Sequence, residues 1–144
     1  MKSHLIERVS FVEQELARRL RKSNPGKLFG LELQAAEEGR AVLRMRVRTQ
    51  HKQVHGVVHG GILASLADTA GGICCYTVLP RGTRVATVEM KINFLEPVDR
   101  GVLTAEARLL RRGRTFAVVD CDVHDRAGKL VAKALMTFAI VRTG

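Results

Sequence analysis

The sequence predicts an α+β fold: one antiparallel sheet of about six strands wrapped around a single long central helix, with an extra amphipathic helix at the N-terminus. Three observations predict it. Hydrophobic patterning runs helix, two strands, one long apolar helix, then four strands. The central helix is so poor in charge that only burial suits it. The last three strand-like runs are joined by short turns bearing Gly113 and Gly128, as in an antiparallel meander. A sheet that buries one face against one apolar helix gives a two-layer domain.

Each element has its own warrant. Leu5, Val9, Val12, Leu16 and Leu20 recur at three- and four-residue steps, with Ile6 and Phe11 widening the stripe. This helix is expected to occupy residues 1–24 and to end at Asn24-Pro25-Gly26. Its stripe is expected to pack on the domain, residues 25–144, despite the Arg18-Arg19 and Arg21-Lys22 pairs. Strand-like segments follow at 28–37 and 40–49. Val42-Leu43-Arg44-Met45-Arg46-Val47-Arg48 shows the two-residue alternation of a half-buried strand. Residues 50–58 read as a loop and 60–77 as the central helix. Ala64, Ala67, Ala70, Gly71 and Gly72 there allow close approach to a sheet. After the Pro80-Arg81-Gly82 turn, strands are expected at 84–95, 101–112, 115–125 and 129–142.

Composition narrows the classes. A chain of 144 residues, 46% of them apolar, fits one folded domain. No apolar run reaches the roughly 18 residues that span a bilayer. Glu7, Glu13 and Glu15 interrupt the N-terminal apolar residues, so a secretory signal is not expected. Three cysteines, two of them the adjacent Cys74 and Cys75, suit a reducing compartment, and a cytoplasmic location is expected. The net charge of +10 attracts polyanions or phosphate-bearing ligands. With 4% aromatics, no Trp and one Tyr, stacking platforms for nucleic acid are scarce, so neither nucleic acid nor membrane is expected as a partner.

The chemistry concentrates in His55-Gly56-Val57-Val58-His59-Gly60-Gly61, followed by Asp68. Unpartnered amides at a helix start favour negative charge, and glycine lets a ligand approach them closely. A carboxylate within an apolar helix is costly unless it is used. Together these features suggest acyl chemistry on a thioester or ester. His55 and His59 are four residues apart, but Gly56 and Gly60 interrupt any continuous helix, and His51 lies in the same loop; no metal site is expected. Cys74 and Cys75 lack an evident base, and a strand-turn-helix serine nucleophile signature is absent.

The chain resembles the hotdog-fold acyl-CoA thioesterases, in the branch of the phenylacetic-acid-degradation and human-type enzymes. The likeness rests on His59-Gly60-Gly61, Asp68 and the strand Val85-Ala86-Thr87-Val88-Glu89-Met90-Lys91-Ile92-Asn93-Phe94-Leu95-Glu96-Pro97, and it spans about residues 28–142. The resemblance implies that the Gly60 amide holds the thioester carbonyl oxygen and that Asp68 acts as base or nucleophile. It implies that Thr87 helps orient water. Gln53 stands where many members carry an Asn. His59, Gly61 and Ser65 are further candidates to touch substrate. Arg111, Arg112 and Arg114, around the Gly113 turn, suit coenzyme A phosphates. No metal and no cofactor is implied. Acyl-CoA and acyl carrier protein both remain open as substrate, as do aryl, short-chain and medium-chain acyl groups. A non-catalytic acyl-CoA sensor and a hotdog hydratase are the alternative functions.

The resemblance implies dimers or dimers of dimers, and helix geometry agrees. Eight residues place Gly60 and Asp68 about 12 Å apart along one helix. A catalytic acid works within roughly 3 Å of the attacking group or through one water. Two antiparallel helices from two copies bring Asp68 of one beside Gly60 of the other.

Overall fold

A computed structural model describes residues 2–142, with side chains described from Phe11 onward. Elements run α1 (Lys2–Lys22), α2 (Asn24–Phe29), β1 (Leu31–Glu37), β2 (Arg40–Arg46), a 3-10 turn (Thr49–His51), α3 (Gly60–Tyr76), β3 (Thr83–Phe94), β4 (Val102–Arg112), β5 (Phe116–His124) and β6 (Leu130–Arg142). The six strands form one sheet in the order β1-β2-β4-β5-β6-β3, antiparallel throughout. Strands β4, β5 and β6 are the expected meander. Strand β3 follows α3 and lies at the open edge beside β6, leaving β1 at the other edge.

Alternation decides the two faces. Ala117, Val119, Cys121 and Val123 of β5 are buried, whereas Asp120 and Asp122 between them are half-exposed. On the exposed face Lys133 meets Asp122 at 2.8 Å, and Arg40 meets Glu106 at 2.8 Å. The inner face closes on α3, whose Leu66, Ala67, Ala70, Cys74 and Cys75 are fully buried. A Cβ on Gly71 would stand 2.8 Å from Met136 Cε and 2.9 Å from Phe138 Cζ, so this residue sets how near α3 lies to β6.

The N-terminal region departs from expectation. Asn24-Pro25-Gly26 does not simply end a helix, because α1 stops at Lys22 and a second helix begins at Asn24. Ser23 makes the corner: its hydroxyl donates to Leu20 O at 2.7 Å and accepts the Gly26 N–H at 3.0 Å. Proline is harmless in a first helical turn, where its missing N–H has no partner to lose. The residue that breaks one helix therefore starts the next. For the same reason the first strand begins at Leu31 and not at residue 28. Leu16 and Leu20 are buried, as the stripe predicts, but Val12 is exposed. The side chains of Leu5, Ile6 and Val9 lie outside the described residues.

Candidate active site

The loop before α3 is built on His51. Its imidazole is buried, with Nδ1 accepting the Arg48 N–H at 3.0 Å and Nε2 2.9 Å from Phe29 O. Because Nδ1 accepts, the proton sits on Nε2 and is donated to Phe29. Burial holds the His51 pKa below its ordinary value, so the ring is neutral in the fold. His51 O also accepts the His59 N–H at 2.9 Å, which fixes the residue that caps α3. Between them the chain folds back on itself, with the Gln53 N–H donating to Val57 O at 2.8 Å. The Gln53 side-chain oxygen accepts the His55 N–H, and Val54 stands 94% exposed at the tip.

The start of α3 is prepared by His59 and two glycines. His59 Nδ1 accepts the Gly61 N–H at 2.8 Å, an N-cap interaction. The Gly60 N–H has no acceptor among the described residues. Phe94, at the end of β3, lies against this glycine: a Cβ on Gly60 would meet its Cζ at 3.0 Å. Glycine here admits the aromatic ring and leaves the first-turn amide bare. Ser65 spends its hydroxyl on its own helix, donating to Gly61 O at 2.9 Å.

Two turns along the helix, Asp68 meets Thr87. The threonine hydroxyl donates to Asp68 Oδ1 at 2.6 Å, joining α3 to β3 across 19 residues of sequence. Thr87 pairs with Phe138, and the β3–β6 register shifts between Thr87 and Glu89. Such a bulge redirects a side chain, and this one lies beside the carboxylate. Asp68 and Thr87 open onto a cavity of about 370 Å³. Its walls are mostly apolar, Leu16 and Leu20 of α1, Pro25 of α2, Gly72, Ile73 and Tyr76 of α3, and Val85 and Phe138 of the sheet, with Arg19, Ser23 and Thr69 adding polar groups. The carboxylate thus opens onto a mostly apolar chamber with a few polar groups, the usual form of a small-molecule site.

The candidate residues therefore fall into three groups. Asp68 and Thr87 are in contact. His59, Gly60 and Gly61 stand at the helix start, about 12 Å away along the axis, and Gln53 sits on the loop before them. The arginines are farther off: Arg112 and Arg114 share a pocket with Arg81 and Arg142, whereas Arg111 is not part of it. Arg81 and Arg142 were not legible as partners of that turn, because β3 and β6 bring them there from separate parts of the chain. Gly72 and Tyr76 carried a usable signal, since they follow Asp68 at four-residue steps and share its helix face. Cysteine chemistry is unfavourable. Burial pushes the Cys74 and Cys75 thiols up to about 12, and Cys121 is raised by the same cause.

The sequence profile of the thioesterase superfamily matches residues 55–132. A protein of Saccharolobus solfataricus is 43% identical over 107 residues, covering 74% of this chain and 76% of its own. Acyl-coenzyme A thioesterase PaaI of Escherichia coli is 35% identical over 107 residues, covering 74% of each chain. Among solved structures, thioesterase HI1161 of Haemophilus influenzae superposes with a TM-score of 0.84 at 28% identity, covering 90% of each chain.

Proposed function

Because this chain belongs to the thioesterase superfamily and has its hotdog fold, we propose that it hydrolyses acyl-CoA thioesters at a site completed by two copies of the chain. The observation that carries the reading is the Asp68–Thr87 pair at the mouth of a mostly apolar cavity. Thr87 occupies one carboxylate oxygen, which leaves Oδ2 to take a proton from water. The water oxygen attacks the thioester carbonyl carbon, and the carbonyl oxygen becomes an oxyanion. The Gly60 amide of the second copy donates to that oxyanion. One such donor is typically worth about 2.7–4 kcal/mol. The C–S bond then breaks, the acid is released, and the proton held by Asp68 passes to the departing thiolate. Direct attack by the Asp68 carboxylate, through a mixed anhydride that water opens, uses the same groups.

Both roles cannot come from one chain, given the helix spacing of Gly60 and Asp68. Exposure on β3 supports a second copy. This strand lies at the sheet edge with Val88 52% and Phe94 51% exposed, and unpaired apolar edges are ordinarily covered. His59 and Gly61 hold the helix start in shape, and Gln53, whose amide nitrogen has no partner among the described residues, and Ser65 flank it. Arg112 and Arg114, with Arg81 and Arg142, suit the phosphates of coenzyme A, whereas Arg111 has less to support it. An acyl carrier protein would present the same thioester. Three buried thiols agree with a cytoplasmic setting. Among the described residues no helix is long and apolar enough to cross a membrane.

The test is thiol release from a panel of acyl-CoAs by the wild type and by Asp68→Asn. The variant is expected to lose about 10²–10⁴ in kcat, the usual worth of acid–base help. It should keep its oligomeric state. Wild-type turnover by Asp68→Asn would overturn the assignment.

A further inference from the structure

We infer that the acyl group of the substrate lies beneath α1, in the chamber that runs from Asp68 to Tyr76, and that Gly72 and Tyr76 fix the chain length it accepts. The inference rests on the thioester reading above. Along α3, Asp68, Gly72 and Tyr76 follow at four-residue steps on one face. Along the inner face of β3, Thr87 contacts Asp68 at 2.6 Å, and the Val85 N–H donates to the Tyr76 hydroxyl at 3.3 Å. Helix and strand thus form the two sides of one trough, and Leu16 and Leu20 roof it.

An acyl chain suits this trough better than the pantetheine arm of coenzyme A. Two amides would need partners there, and most of the wall is apolar; of its polar side chains, Ser23 and Thr69 already spend their hydroxyls on Leu20 O and Ser65 O, and Arg19 is turned to Glu15. Tyr76 marks its far end. It lines the chamber that holds Asp68 and also a second cavity of about 640 Å³, bounded by Leu79, Pro80 and Thr83. Its hydroxyl is tied to Val85, so the ring stands fixed between the two spaces. From Asp68 to Tyr76 the helix rises about 12 Å, close to the extended length of a decanoyl chain. Gly72 lies midway. A Cβ there would be 3.9 Å from Phe138 Cε1, ordinary contact, so a side chain at this position projects into the trough. The substrate class is accordingly a medium-chain acyl thioester.

Butyryl-, decanoyl- and palmitoyl-CoA, given to the wild type, Gly72→Leu and Tyr76→Ala, test this. Gly72→Leu should lower kcat/KM for decanoyl-CoA relative to butyryl-CoA by at least about tenfold, in the range that small volume changes in an apolar pocket produce. Its melting temperature should not fall, since a side chain replaces glycine within a helix. Tyr76→Ala should raise palmitoyl-CoA turnover relative to decanoyl-CoA by opening the second cavity. If Gly72→Leu fails to fold, Gly72→Ala supports the same comparison with a smaller loss. A wild type active on acyl-CoA whose variants change all three substrates by one factor, or none, would overturn the acyl trough alone. A wild type that releases no thiol would overturn the thioesterase function and this assignment with it.

Discussion

In the proposed mechanism Thr87 is a positioning residue for the carboxylate. Its hydroxyl donates to Asp68 Oδ1 at 2.6 Å, and hydrogen bonds to charged groups contribute about 1.5–3 kcal/mol. Thr87→Val should therefore lower kcat by roughly tenfold to a hundredfold with little change in KM, while Thr87→Ser should retain most of the activity. Steady-state kinetics on both variants decide it, and a Val variant with only KM altered would point to substrate contact instead. His51 bears on stability rather than on turnover. Its ring is buried and neutral, so the unfolded chain binds the extra proton once the pH drops below about 6.5. The expected result is a fall in denaturant midpoint between pH 7.5 and 5.5, with a shallower slope for His51→Asn. Of these residues, the likeness of the strand to known thioesterases drew attention to Thr87, and only the fold shows what its hydroxyl touches. His51 looked like a loop histidine because the residues that bury it, including Phe29, come from a distant part of the sequence.

At the scale of elements, the corner between α1 and α2 shows how far local patterning reaches. Asn24-Pro25-Gly26 is a breaker signal by propensity, yet Ser23 as cap and Pro25 in the first turn make it a helix start. Gly26 is the residue this corner cannot exchange. A Cβ there would overlap the Leu20 carbonyl oxygen. Gly26→Ala should cost about 1–3 kcal/mol, as overpacking generally does, measured as a lower denaturant midpoint. Because the corner carries Leu16 and Leu20 over the cavity, the variant should also weaken discrimination among acyl chains. The long elements were legible for the opposite reason. The central helix was expected at 60–77 and spans Gly60–Tyr76, because a long run with a single charge after a glycine pair has few other solutions. Strand edges and the β3 bulge depend on pairing across the sheet, which no single segment encodes.

For the molecule as a whole, the decisive quantity is the number of chains per particle. The antiparallel sheet and central helix were readable from element order, whereas the edge position of β3 depends on a crossover invisible in sequence. That edge, with Val88 and Phe94 exposed and Phe94 lying against Gly60, leads to the expectation of a dimer or dimer of dimers. Sedimentation equilibrium should give at least twice the mass of one chain, and Val88→Lys should shift it towards the monomer with parallel loss of turnover. An active monomer would contradict the shared site. The buried cysteines bear on how all these rates are measured. With Cys74 and Cys75 sealed in the core at pKa values of about 12 and Cys121 buried beside them, the native enzyme should be silent towards disulfide dyes. Colour developed during turnover then counts released coenzyme alone, and a sudden protein-derived signal would report unfolding.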